Sequence, residues 1–180
     1  DGAATVLRLE GLEASVALRA EKLANAVGRF GAVTRLDGPQ TSKLWAEIRD
    51  VKPYADGTKK PLWRVSVAPS LGHQLVAALR LQTGVDAFYD WQGGLVWLRM
   101  EADPEAELVR RYIKVLGGGH ATLVRAEDGY RAAIPAFEPQ PLAVAQLSER
   151  VRASFDPHRI FNPGRMAAVS ETATMEHGRK

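Results

Sequence analysis

The residues best equipped for chemistry fall in four short stretches. Positions 162–165 read Asn-Pro-Gly-Arg, where proline pre-sets φ and glycine tolerates positive φ, a type II turn with Asn162 and Arg165 at its ends. An amide there can donate or accept, and a guanidinium can offset negative charge. The same turn serves equally well to seat the end of a chain. In 62–68 (LWRVSVA), alternation puts Trp63, Val65 and Val67 on one side of a strand and Arg64 and Ser66 on the other. Held that way, Arg64 could grip a carboxylate through two parallel hydrogen bonds, or pair with a neighbouring acid as a sheet-surface cation. His120 alternates with Thr122, so both share one face. Imidazoles ordinarily titrate near neutrality, which suits a base or a hydrogen-bond donor, although a lone histidine also serves structure alone. Trp91 and Trp97 flank Gly93-Gly94, either as cross-strand packing or as a ring wall against a ligand or partner.

Elements to position these groups can be read from hydrophobic spacing. Residues 5–10 (TVLRLE) alternate like a half-buried strand, and 32–36 read as a second short one. Between them Leu12, Val16, Ala20, Leu23, Val27 and Phe30 recur at three and four, one stripe of an amphipathic helix. A further helix is expected over 39–51 and a surface loop over 52–61. A second strand–helix–strand unit opens at 62–68, with its helix over 72–82. Strands at 85–91 and 95–100 join through Gln92-Gly93-Gly94, a hairpin signal. Asp103 and Pro104 read as N-cap and first position of a helix with Leu108, Tyr112 and Val115 on its apolar side. Gly117-Gly118-Gly119 ends that helix, a C-cap rather than a phosphate cradle, and a strand follows over 120–126. Residues 127–139 read as irregular or as a strand near 130–134. A last helix over 141–155 turns Val144, Leu147, Val151 and Phe155 inward, and Pro157 cannot continue it. The small, polar run 167–180 reads as a flexible tail. Hairpins with helices on one face predict an α+β sandwich with an antiparallel sheet.

Composition narrows the class. The 180 residues can bury a real core, and 46% hydrophobic with 25% charged residues is an ordinary globular balance. A net charge of +3 without a basic run argues against nucleic-acid binding. Without cysteine there is no disulfide framework, thiolate nucleophile or Cys-ligated metal, and no HExxH is present. This fits a reducing compartment. No apolar run approaches the roughly 18 residues of a membrane helix. The chain begins at Asp1 without methionine, which suggests the C-terminal portion of a longer polypeptide.

Four stretches carry a family resemblance: FDPHRIFNPGRM (155–166), PLWRVSVAP (61–69), FYDWQGGLVWL (88–98) and GGGHATLVRA (117–126). Together they resemble FAD-linked oxidases of the vanillyl-alcohol oxidase type, and among them the smaller, GlcE-type FAD-binding subunits of bacterial glycolate oxidases. The resemblance implies a ferredoxin-like cap domain over 1–166, with FAD bound mainly by an upstream domain that this chain lacks. It implies glycolate, a small 2-hydroxy acid, as substrate and glyoxylate as product. Asn162 and Arg165 would then border the cofactor, Arg64 and Ser66 would bind substrate, and His120 would be the catalytic base. Implied partners are a larger FAD subunit and an iron–sulfur subunit, in the cytoplasm or peripherally at the inner membrane. The larger sister subunits hold a divalent metal with paired histidines that this chain does not show, which points to an electron-relay or structural subunit as well as to a catalytic one. The isolated chain is expected to be inactive. A non-enzymatic ferredoxin-like module for ligand sensing or assembly is the alternative.

Overall fold

β1 (Leu62–Ser66) is an inner strand of the sheet, with Trp63 and Val65 fully buried on one side. The computed structural model describes residues 3–162 and 164. By compactness the chain divides into two units, with the boundary after Pro53.

In the second unit the order is β1, α3 (Gly72–Arg80), β2 (Val85–Asp90), β3 (Leu95–Met100), α4 (Ala106–Val115) and β4 (His120–Arg125). The strands form one antiparallel four-stranded sheet in the order β2-β3-β1-β4. This twice-split βαβ arrangement is ferredoxin-like, the α+β class expected from the hairpin and helix signals. Trp63, Val65, Val96, Leu98, Ala121 and Leu123 point to one face, where they meet Leu75, Val76 and Leu79 of α3 and Val109 and Ile113 of α4. Both crossover helices therefore cover the same face, and burial of those side chains drives the layer together.

Several expectations change here. Asp103 does not cap α4; its carboxylate accepts from the Tyr130 hydroxyl, and Glu105 sits at the cap in the left-handed region with φ 52°. The Pro104 carbonyl accepts from Trp63 Nε1 at 2.7 Å, and the helix starts two residues later than expected, at Ala106. The buried side of α4 runs through Val109 and Ile113, with Leu108 and Tyr112 beside it and Val115 exposed. Residues 128–133 form a helix, α5 (Asp128–Ala133), rather than a strand. Asp128 favours the positive end of its dipole, and Ala132-Ala133 favours the helical backbone. Beyond it, the Ala136 carbonyl accepts from the Leu123 N–H at 2.7 Å, so this segment still serves β4.

α6 (Leu142–Phe155) forms as expected, but Val144, Leu147, Val151 and Phe155 are all exposed and none joins the core cluster. The stripe predicted the helix correctly; it did not predict a cover. After α6, Asp156 is buried and organises the turn: its carboxylate accepts from Ile160 N at 3.0 Å and Phe161 N at 2.9 Å.

The first unit holds α1 (Glu13–Val27), closed by a short 3-10 turn, and α2 (Gly38–Arg49). A capping box starts α2: Asp37 accepts from Gln40 N at 2.9 Å while Gln40 Oε1 accepts from Asp37 N at 3.3 Å. The strands expected at 5–10 and 32–36 are not formed. Alternation alone supplies no ladder, and a strand without a partner leaves its backbone groups to water.

Candidate functional site: the polar face of the sheet

Antiparallel register brings the candidate residues of three stretches onto neighbouring strands. Arg64 lies opposite Trp97 of β3 and Thr122 of β4, and Ser66 lies opposite His120. All project from the face away from α3 and α4, because Val65, Val96, Ala121 and Leu123 take the other. Arg64 and His120 are diagonal neighbours, about 7–8 Å apart by antiparallel geometry. Arg64, Ser66, Thr122 and Trp97 are half-buried, and His120 is exposed.

The start of β4 is fixed by a close approach. A Cβ on Gly119 would stand 2.4 Å from the Ser66 carbonyl oxygen, so only glycine lets the chain enter β4 against the end of β1. His120 beside Ser66 is the direct result.

One end of this face is closed. Tyr54 is buried against Phe88 at 5.3 Å between ring centroids, and Phe88 stacks near Trp97 at 6.4 Å. Burial, with the Asp86 carboxylate nearby, pushes the Tyr54 phenol well above its usual value, so it stays neutral. Arg99 lies 4.7 Å from the Tyr54 ring centre and bridges Asp56 at 2.7 Å and Asp86 at 2.9 Å. Arg125 donates to the Lys60 carbonyl at 2.9 Å and the Tyr54 carbonyl at 2.7 Å, which ties the 54–60 loop to β4.

The other end is different. Among the described residues, Arg64 is the only half-buried arginine without an oxygen partner; Arg99, Arg110, Arg125, Arg152 and Arg159 all have one. The ordinary pairing of a sheet-surface cation is therefore not made there. Arg64 rests instead over the Trp91 ring, 5.2 Å from its centre. Strand alternation marks Arg64 but gives Trp91 only a general packing or wall role. The cation–π contact has no periodic signature, since Trp91 reaches back from the hairpin connection.

Asn162 is exposed and left-handed with φ 47°, and Gly164 takes φ 79°. Arg165 and the 167–180 run lie outside the described residues. A depression bounded by Leu9, Glu10, Val16 and Arg35 includes none of the candidate residues. Among the described residues no group of three His, Asp or Glu is placed to hold a metal ion, and no helix is long and apolar enough to cross a membrane.

What the face can take follows from its donors. A guanidinium with free N–H groups, a hydroxyl on Ser66 and on Thr122, an imidazole and an indole suit the edge of a small anion or of a planar polar ring. They fit one edge of a flavin better than a whole dinucleotide, because Gly117–119 closes α4 rather than opening a helix toward a phosphate.

Fold and face together define a ferredoxin-like α+β sheet with one face covered by helices and an arginine left uncompensated on the other. The chain is similar to the glycolate oxidase subunit GlcE of Escherichia coli strain K12, 29% identical over 170 residues. That match covers 90% of this chain but 38% of the relative's length. No family model matches the chain, and no solved structure matches it.

Proposed function

We propose that this chain is the C-terminal, cap-forming part of a GlcE-like subunit of a flavin-linked glycolate oxidase, and that its polar sheet face closes over the flavin and substrate. The similarity to GlcE across nine-tenths of the chain carries this reading. FAD, held mainly by a domain outside this chain, supplies the hydride acceptor for oxidation of glycolate to glyoxylate. Arg64 grips the substrate carboxylate, Ser66 adds a hydrogen bond beside it, and His120 accepts the hydroxyl proton. Asn162 and Arg165 border the cofactor from the terminal turn. A larger FAD subunit and an iron–sulfur subunit complete the complex, which works in the cytoplasm or at the inner-membrane surface.

The test is Arg64→Ala in the full-length subunit assembled with its partners. Loss of a charge-assisted grip predicts a fall in kcat/KM for glycolate of about a hundredfold, with flavin content unchanged. Unaltered kinetics would remove Arg64 from the site. A second reading, an assembly module without chemistry of its own, draws on the bare apolar stripe of α6. It predicts the reverse pattern: Arg64→Ala leaves turnover intact, while Leu147→Asp releases the subunit from the complex.

A further inference from the structure

The half-buried arginines that pack on rings in this unit fall into two kinds. Arg99 lies over Tyr54 and is also bound by Asp56 and Asp86. Arg110 lies over Trp63, 5.5 Å from its centre, and donates to the Pro135 and Phe137 carbonyls at 2.6 and 3.1 Å. In both, oxygen atoms take part of the guanidinium, although Arg110 Nε makes no hydrogen bond and has the Glu138 carboxylate 3.6 Å away. Arg64 has the ring and nothing else among the described residues. A π-face attracts a cation through its quadrupole but occupies no in-plane N–H, so the guanidinium is located without being satisfied.

Trp91 is itself held at a cost. Its backbone lies in the left-handed region with φ 50°, unusual for a bulky residue, and its side chain is large, apolar and 58% exposed. Asp90 Oδ1 accepts from the Trp91 N–H at 2.7 Å, and the Trp91 carbonyl accepts from Gly94 N at 3.1 Å. The rest of the connection is pressed against the β1–α3 loop: a Cβ on Gly93 would stand 2.7 Å from the Pro69 carbonyl oxygen. Packing would be served better by a buried ring on a relaxed backbone. Holding Arg64 explains both the strain and the exposure.

We propose that Trp91 is a positioning residue, which fixes Arg64 over its ring without neutralising it, and that the site therefore selects ligands carrying a free carboxylate over their uncharged isosteres. This rests on the reading of Arg64 as the substrate-gripping group. A carboxylate partner in place of Trp91 would hold Arg64 equally firmly but would compete with the ligand for the same donors. The indole gives rigidity and leaves the charge for the incoming anion.

The experiment compares Trp91→Asn, Trp91→Phe and Arg64→Ala in the full-length subunit within its complex, assayed with glycolate and with glycolamide. Asparagine accepts the left-handed backbone readily, so Trp91→Asn should fold with an unchanged or higher thermal midpoint. Its KM for glycolate should rise about tenfold, the size that a partly desolvated cation–π contact supports, with kcat within about twofold. The preference for glycolate over glycolamide should fall by the same factor, and Trp91→Phe should restore most of it. Wild-type KM and preference in Trp91→Asn, together with their loss in Arg64→Ala, would overturn the role of Trp91 and leave the site itself standing. If Arg64→Ala also matched the wild type, or the complex did not oxidise glycolate, the site reading and this inference would fall together.

Discussion

Trp63 and Trp45, taken from different units, each carry an arginine over the ring, and the difference between them separates the two regions. Trp63 on β1 has no exposure, donates from Nε1 to the Pro104 carbonyl at 2.7 Å, and lies under an arginine that is itself bound to two carbonyls. Trp45 on α2 is only half-buried, with Arg8 at 5.7 Å from its centre. The contrast extends to their surroundings. The sheet and its two crossover helices enclose a continuous cluster, whereas no described residue from 3 to 53 is buried, and none in α6. Folding must offset roughly 1–2 kcal/mol of backbone entropy per residue, and fully buried apolar side chains, which offset it most, are found in the first kind of environment. The buried cluster belongs to the sheet and its two crossover helices, while the stripes of α1 and α2 are mostly half-buried and that of α6 is exposed.

Truncating the two rings is the sharpest way to break that contrast. Trp63→Ala removes a fully buried ring and orphans the Pro104 carbonyl, so urea unfolding of the chain should show a loss of about 3–5 kcal/mol. Trp45→Ala should cost about 1 kcal/mol or less in the same measurement, as expected for a partly exposed side chain outside a core. Equal losses would mean that the first unit has a core after all, and the division would have to be redrawn.

A smaller effect tests whether the open face depends on the covered one. Gly119→Ala places a methyl group 2.4 Å from the Ser66 carbonyl oxygen and about 3 Å from Val67 and Ile113, groups that belong to the core side. Relief requires β4 to move off β1, at a cost of about 1–3 kcal/mol typical of overpacking. His120 should separate from Ser66 in the process, visible as a change in the His120 ring shifts in a proton–carbon NMR spectrum. A destabilised variant with unmoved His120 resonances would show that the two faces are not coupled through this glycine.

How much of this was legible in the sequence follows the same division. β1 to β4, α3 and α4 were placed within a few residues, because Trp63, Val65, Leu75, Leu98 and Leu123 write their burial directly into period-2 and period-3.6 patterns. Residues 5–10 carry the same alternation and form no strand, since pattern reports a willing face and not a pairing partner. The stripe of α6 fails for the same reason: Leu147 and Val151 are correctly spaced and remain uncovered. At the candidate site, alternation pairs Arg64 with Ser66 on one strand and His120 with Thr122 on another, but only the β1–β4 register puts the two pairs on one face. It could not reveal that Arg64 lacks an oxygen partner or that Trp91 lies beneath it, because both depend on contacts between residues far apart in sequence. Asp103 was misread as a cap because Tyr130, 27 residues later, claims its carboxylate.

The smallest expected effect separates α6 from the sheet by pH. Burial works to raise the Asp156 carboxyl, but the N–H groups of Phe161, Ile160 and Arg159 outweigh it and hold the group below the ordinary aspartate range. A carboxyl depressed in the folded chain contributes its full stabilisation above the ordinary pKa of about 3.9, and loses it as pH falls through the lower folded value. That contribution is expected to be local to the turn after α6, because the Asp156 carboxylate accepts from Ile160 N and Phe161 N of the same turn. Acidification should therefore shift the amide resonances of Ile160 and Phe161 with a midpoint below about 3.9, while those of Val65 and Leu98 stay in place. Asp156→Asn should remove the pH dependence at both amides and leave global stability nearly unchanged. A midpoint at or above the ordinary value would show that the three N–H donors do not outweigh burial. Movement of Val65 and Leu98 with the same midpoint would show that the turn and the sheet respond as one.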